Sequence, residues 1–267
     1  MTISGKTNLE KKKTTLFVVL SGIFLTNALL AEMIGVKIFS GEYTLGMQPA
    51  QIHLFGDFIL DFDLSAGVVI WPVVFIVTDI INEYFGKKGV RKISFLTAGF
   101  IAYAFLIIYI VTVLPPAQFW LNLNNQDTSG NAFNINYAFK VIFRQGLGII
   151  IGSLFAFLIA QLLDVFVFQR LRAITGSRMI WLRATGSTLI SQLIDSFVVL
   201  GIAFYIFGNW SIKQVVAVGI IHYIYKFFVA IILTPVIYLG HYIIDRYLGK
   251  EYADSMADEA GMDKSLF

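Results

Sequence analysis

Cysteine is absent from the 267-residue chain. Disulfides, thiolate metal sites and a cysteine nucleophile are therefore excluded. Charge is scarce too: Asp, Glu, Lys and Arg together make up 14% of the residues, where an ordinary soluble domain carries about 25%. No polar stretch is long enough to build a second, soluble domain. Histidine is limited to His53, His222 and His241, without metal-ligand spacing, so neither a metal nor a cofactor is expected. There is no P-loop, HExxH or GxSxG pattern, which argues against an intrinsic ATPase and against common hydrolase chemistries. The net charge of +3 is small and gives no reason to invoke nucleic acid.

What the chain has instead is apolar side chain: 57% of residues, with a mean hydropathy of +0.76. A membrane-spanning helix needs about 20 mostly apolar residues. Six stretches qualify, roughly 15–38, 65–85, 93–114, 144–168, 186–207 and 215–242. Pro72 and Pro235 lie inside such runs and are expected to kink their helices. The basic run Lys11-Lys12-Lys13 before the first stretch resembles a signal peptide, but no small-residue cleavage pattern follows. The stretch is read as a retained first helix.

Lys and Arg mark the sides of the membrane. They gather at Lys6 and Lys11 to Lys13, at Lys87, Lys88, Arg91 and Lys92, and at Arg170, Arg172, Arg178 and Arg183. The alternate connections are nearly bare: 39–64 has no Lys or Arg but has Asp57, Asp61 and Asp63, 115–140 has only Lys140, and 208–214 only Lys213. The expectation is an all-α bundle of six transmembrane helices with both termini in the cytoplasm. Its parts are a basic tail 1–14, a membrane domain 15–245 and a polar tail 246–267. Segment 115–137, rich in asparagine, reads as a loop or short cap. Residues 251–267 show little periodicity and read as a mobile end.

Ionisable groups at membrane depth are costly and usually functional. This chain places Glu32, Asp79, Glu83, Asp164, Asp195 and Lys226 in its apolar runs, accompanied by Asn27, Gln161, Ser191, Gln192 and His222. A rise of about 1.5 Å per residue spreads them across the bilayer rather than at one end. Asp195 and Lys226 fall at similar depth, either pairing with each other as glue between helices or meeting a ligand. Ser187, Ser191 and Asp195 share a helix face, as do His222 and Lys226. Gln161-Leu162-Leu163-Asp164 is echoed by Gln192-Leu193-Ile194-Asp195. This is either chance in an apolar chain or two amide–carboxylate pairs on one polar cavity. Such a pair can read a planar heterocycle, because each group offers two hydrogen-bonding atoms in one plane. Glu83 and Lys87, four apart, suit a simple helix-end ion pair. Arg144 either snorkels to the surface or turns inward. Trp71, Tyr223 and Tyr225 either stack on a ligand or anchor the helices in lipid.

The stretch Trp71-Pro72, Thr78-Asp79-Ile80, Asn82-Glu83-Tyr84-Phe85-Gly86-Lys87, together with Arg144, Gln161, Asp164, Arg183, Ser187, Ser191-Gln192, Asp195 and Lys226, resembles the queuosine precursor transporters, a vitamin uptake transporter group. The resemblance covers about 15–245 and is carried chiefly by the Thr-Asp-x-x-Asn-Glu-x-x-Gly motif. It implies uptake of 7-cyano-7-deazaguanine or 7-aminomethyl-7-deazaguanine across the inner membrane, to supply tRNA queuosine. It also implies a six-helix fold similar to the substrate-binding components of energy-coupling-factor transporters. On this reading Thr78, Asn82, Glu83 and Gly86 form a motif at the cytoplasmic end. Asp195 or Glu32 is the expected reader of the donor edge of the base, with Gln192, Gln161 and Lys226 on its acceptor edge. The expected partners are a deazapurine, the bilayer, and protons or another coupling ion; the number of copies is open. The rival readings are a binding component needing a separate ATPase and, from another class, a membrane enzyme acting on a lipid-linked substrate. The spread of polar groups in depth speaks against the enzyme.

Overall fold

The computed structural model describes residues 3–56, 58–176 and 179–262. Asp57 and Arg178, counted above among the connection charges, and residues 263–267 of the polar tail lie outside them. Among the described residues five helices are long and apolar enough to cross a membrane, so the chain is a multi-pass membrane protein.

The first helix, α1 (Ile3–Ile34), begins ahead of its apolar run and takes in Lys11 to Lys13. Leu20, Phe24, Ala28 and Ala31 are buried. Their spacing of three or four makes one stripe, which packs on the next long helix. The connection to that helix is ordered. Strand β1 (Ile38–Ser40) leads into the short helix α2 (Gly41–Thr44), and β2 (Ile52–Leu54), β3 (Phe58–Leu60) and β4 (Asp63–Ser65) follow. β1 pairs antiparallel with β4 and β2 with β3, giving one hairpin nested inside another. Glu42 holds this cap together. Its carboxylate accepts from the Phe62 amide at 2.7 Å, the Ala50 amide at 3.3 Å and the Ser40 hydroxyl at 3.0 Å. Burial alone would raise its pKa, but these donors outweigh burial and hold the carboxyl below its ordinary value.

Helix α3 (Trp71–Val113) spans 43 residues, which would reach about 65 Å if straight. The hydrocarbon is only about 30 Å thick. The helix breaks at Gly86, where φ is 64° and ψ −171°. Glycine is required there: the positive φ disfavours any other residue, and an added β-carbon would meet the Ala260 carbonyl at 3.2 Å. A β-carbon at Gly89 would stand 3.3 Å from the Ile81 side chain, eight positions back. In an unbroken helix those levels lie about 12 Å apart. The halves 71–85 and 87–113 therefore fold toward each other, in place of the loop expected over 86–92.

Short helices α4 (Gln118–Leu123) and α5 (Ile135–Phe143) occupy the asparagine-rich segment. Helices α6 (Leu147–Thr175) and α7 (Ile180–Leu200) pack along each other, and α7 ends in a π-helical turn, Gly201–Ile206. Helix α8 (Ile212–Leu248) continues through Pro235 without interruption. The tail expected to lack structure forms α9 (Lys250–Met262), which buries Ala253 and Met256 and packs on α3. One apolar core joins α1, α3, α6, α8 and α9. Within it the rings of Trp71 and Phe157 lie 5.9 Å apart, and those of Phe24 and Phe157 6.2 Å apart.

Candidate functional site

The polar residues of the spans fall into separate groups along the bundle. At the end near Gly86, Glu83 receives a forked pair of bonds from Arg183, at 3.0 and 2.7 Å. Arg172 adds its charge at 3.5 Å and also donates to the Glu83 carbonyl at 3.1 Å. Arg183 is 1% exposed and donates to the Gly176 carbonyl at 2.7 Å. Arg172 also donates to the Ala257 carbonyl of α9. Beside this cluster, Gln169 donates to Asn82 at 2.8 Å, and Tyr84 donates to Asp245 at 2.7 Å and meets His241 at 3.0 Å. Glu83 thus pairs with arginines of α6 and α7, not with Lys87. Arg172 and Arg183, counted from sequence as loop charges, are buried.

One turn deeper stand the motif residues Thr78 and Asp79. The Thr78 hydroxyl is 3.3 Å from the Gln161 amide oxygen and donates to the Val74 carbonyl at 2.8 Å. Gln161 and Asp164 share a face of α6, three residues apart. This turns Asp164 toward the level of Asp79, near enough for Asp79 to feel its charge. Ser191 donates to one oxygen of Asp164 at 3.3 Å. The other oxygen of Asp164, Oδ1 of Asp79 and Nδ2 of Asn82 are buried without a hydrogen-bond partner. Gln192 is buried nearby on α7.

Further along, Lys226 and Asp195 form an ion pair at 2.5 Å. It lies partly buried between α7 and α8, as depth alone suggests. His222, one turn from Lys226, meets the backbone of Asp63 in the hairpin cap. The echoed Gln/Asp segments thus serve different neighbours: Asp164 faces α3 and α7, while Asp195 faces α8.

Glu32 is buried near the end of α1, beside Ser153 and near enough to feel Asp195. Its carbonyl accepts from Gln145 at 2.7 Å. Asn27 donates to the Ile23 carbonyl of its own helix at 2.8 Å. Arg144 is exposed and lies over the Tyr109 ring, 4.6 Å from its centre. It stands apart from the interior groups.

Two clefts open on these groups between the first half of α3 and α8. The outer one is lined by Trp71, Pro72, Phe75, Tyr225, Lys226 and Ala230, among others. The inner one is lined by Phe75, Ile76, Asp79, Thr185, Thr188 and Leu233, among others. Phe75 and Ala230 belong to both, so the clefts adjoin. Trp71 and Asp79 mark levels about 12 Å apart along the helix. The lining is mostly apolar, with an ion pair at one level and a carboxylate lacking one partner at the other.

Sequence reasoning missed Gln169 and Asp245, and quoted Tyr84 in the motif and His241 among the histidines without giving either a partner.

The chain matches the family model described as "Putative vitamin uptake transporter" over residues 65–240. It is 31% identical over 186 residues to a "Probable queuosine precursor transporter" of Bacillus subtilis, covering 68% of this chain and 75% of that protein. It is 29% identical over 174 residues to a protein of the same name in Haemophilus influenzae, covering 64% and 66%. It is 28% identical over 175 residues to the "Queuosine precursor transporter" of Escherichia coli, covering 65% and 71%. No solved structure matches the chain.

Proposed function

This chain belongs to the vitamin uptake transporter family, and from that premise we propose that it takes up queuosine precursors, 7-cyano-7-deazaguanine and 7-aminomethyl-7-deazaguanine, through the paired clefts between α3 and α8. The observation that carries the proposal is the continuity of those clefts. They share Phe75 and Ala230, and one ends at Lys226 while the other ends at Asp79.

A solute of this kind first stacks among Trp71, Phe75 and Tyr225, then moves inward to Asp79. A carboxylate only accepts, so it suits a group of the solute that carries N–H donors. We assign that role to Asp79, since Asp195 is already held by Lys226. Gln161 orients Thr78 next to Asp79. Glu32 lies outside both linings and is assigned to the packing of α1.

Six crossings follow if the halves of α3 each cross, and the break at Gly86 supports that count. Lys and Arg gather on the connections of one side, which supports cytoplasmic termini in the plasma membrane. Passage through the chain's own clefts favours a secondary or facilitative mechanism over a binding component that needs an ATPase.

The test is reconstitution of the purified chain in liposomes, with radiolabelled cyano and aminomethyl bases. Saturable uptake of either without ATP or added protein is the expected result. Binding without transport would transfer the chain to the class needing an energising partner. Failure to bind either base would overturn the proposal.

A further inference from the structure

Charge at membrane depth has to be answered by charge or by a proton. Glu83 is answered by Arg183 and Arg172, and Asp195 by Lys226. His241 bonds to Tyr84 near the Gly86 end, and His222 lies one turn from Lys226 at the other. Asp79 and Asp164 are different. They are 2% and 5% exposed, each has one oxygen without a partner, and among the described residues neither makes an ion pair. They come from different helices and are held level by the contact of Thr78 with Gln161. Asp79 lines the inner cleft, whose other walls include Phe75, Ile76, Leu233 and Ile237.

We propose that Asp79 and Asp164 form a subsite for a cationic group on the solute, so that the chain prefers the base bearing a primary ammonium to its neutral nitrile counterpart. The inference rests on the uptake reading above and narrows it to one chemical class: a flat, largely apolar ring with one positive charge. The apolar walls take the ring. An ammonium offers three N–H donors and a full positive charge to two carboxylates that have no cation of their own. A nitrile offers only an acceptor, which two carboxylates repel.

The experiment is competition in proteoliposomes at neutral pH. Uptake of one labelled base is inhibited by unlabelled aminomethyl or cyano base. The aminomethyl compound is expected to inhibit at a concentration about tenfold lower or less. Asp79→Asn and Asp164→Asn should each bring the two inhibition constants together. Calorimetric binding of both bases to the wild-type protein in detergent gives the same ratio without transport and without a variant. Equal or reversed preference in the wild type overturns the inference while leaving the uptake reading standing. A preference unchanged in both variants also overturns it, since the selectivity then resides elsewhere. Absence of binding by both bases sinks the uptake reading itself.

Discussion

Replacing Glu83 by Gln separates two accounts of the same carboxylate. If Glu83 merely finished its helix by pairing with Lys87, the loss would be that of a surface i,i+4 pair, about 0.3–0.5 kcal/mol. In the structure Glu83 instead answers the forked Arg183, which is 1% exposed, and also Arg172. Removing one partner of a buried ion pair costs about 3–5 kcal/mol, because a charge is left stranded. For a chain of this length each kcal/mol shifts Tm by about 2–4 °C, so Glu83→Gln should lower Tm by roughly 6–20 °C. The assay is thermal unfolding of the purified protein in detergent, followed by tryptophan fluorescence. Lys87→Gln is the control and should fall within about 0.5 kcal/mol of the wild type. Adding Arg183→Met to Glu83→Gln should recover part of the loss, since the double variant no longer strands that guanidinium. A Glu83→Gln protein that melts with the wild type, or no lower than Lys87→Gln, would refute the buried cluster.

Gly86→Ala should destabilise by about 1 kcal/mol or more, from the positive φ and the contact with Ala260, read as a lower Tm in the same assay. Asp195→Asn should abolish uptake while insertion and expression persist, because Lys226 then lines the outer cleft as an unanswered charge; wild-type transport in that variant would remove the pair from the site. The Glu42 carboxyl is more acidic in the fold than its ordinary value of 4.5. Its stabilisation is therefore complete above that pH and lost as pH falls through the lower folded value. Protease cleavage within 39–64 should accordingly rise under acid, and Glu42→Gln should cleave readily at all pH values.

Much of the bundle was legible because lipid forces long apolar runs into helices. The apolar helices could be placed in outline, and the similar depth of Asp195 and Lys226 made their contact one of two open readings. The break at Gly86 was hidden by chemistry with two meanings. Lys87, Lys88, Arg91 and Lys92 look like a loop, yet the helix resumes at once, because a single glycine absorbs the whole turn. Arg172 and Arg183 were hidden the same way: sequence counts basic residues at a membrane end without telling whether they face water or a buried glutamate. The hairpin cap over 38–65 gives no clear signal, since three-residue strands are too short to show alternation. Helix α9 carries only a narrow apolar stripe, Ala253 and Met256, easily missed in a polar tail. The partnerless state of Asp79 and Asp164 depends on where every neighbouring cation went, and one chain read in order cannot supply that.

The meeting of four helices at Glu83 bears on how such a bundle can move. Its carboxylate joins α3 to α6 and α7, and Arg172 carries the tie on to α9. Pulling any of these apart leaves a guanidinium or a carboxylate alone in oil. That end of the molecule is therefore a clasp, costly to open, and any rearrangement that keeps these bonds leaves α3, α6, α7 and α9 fastened together there.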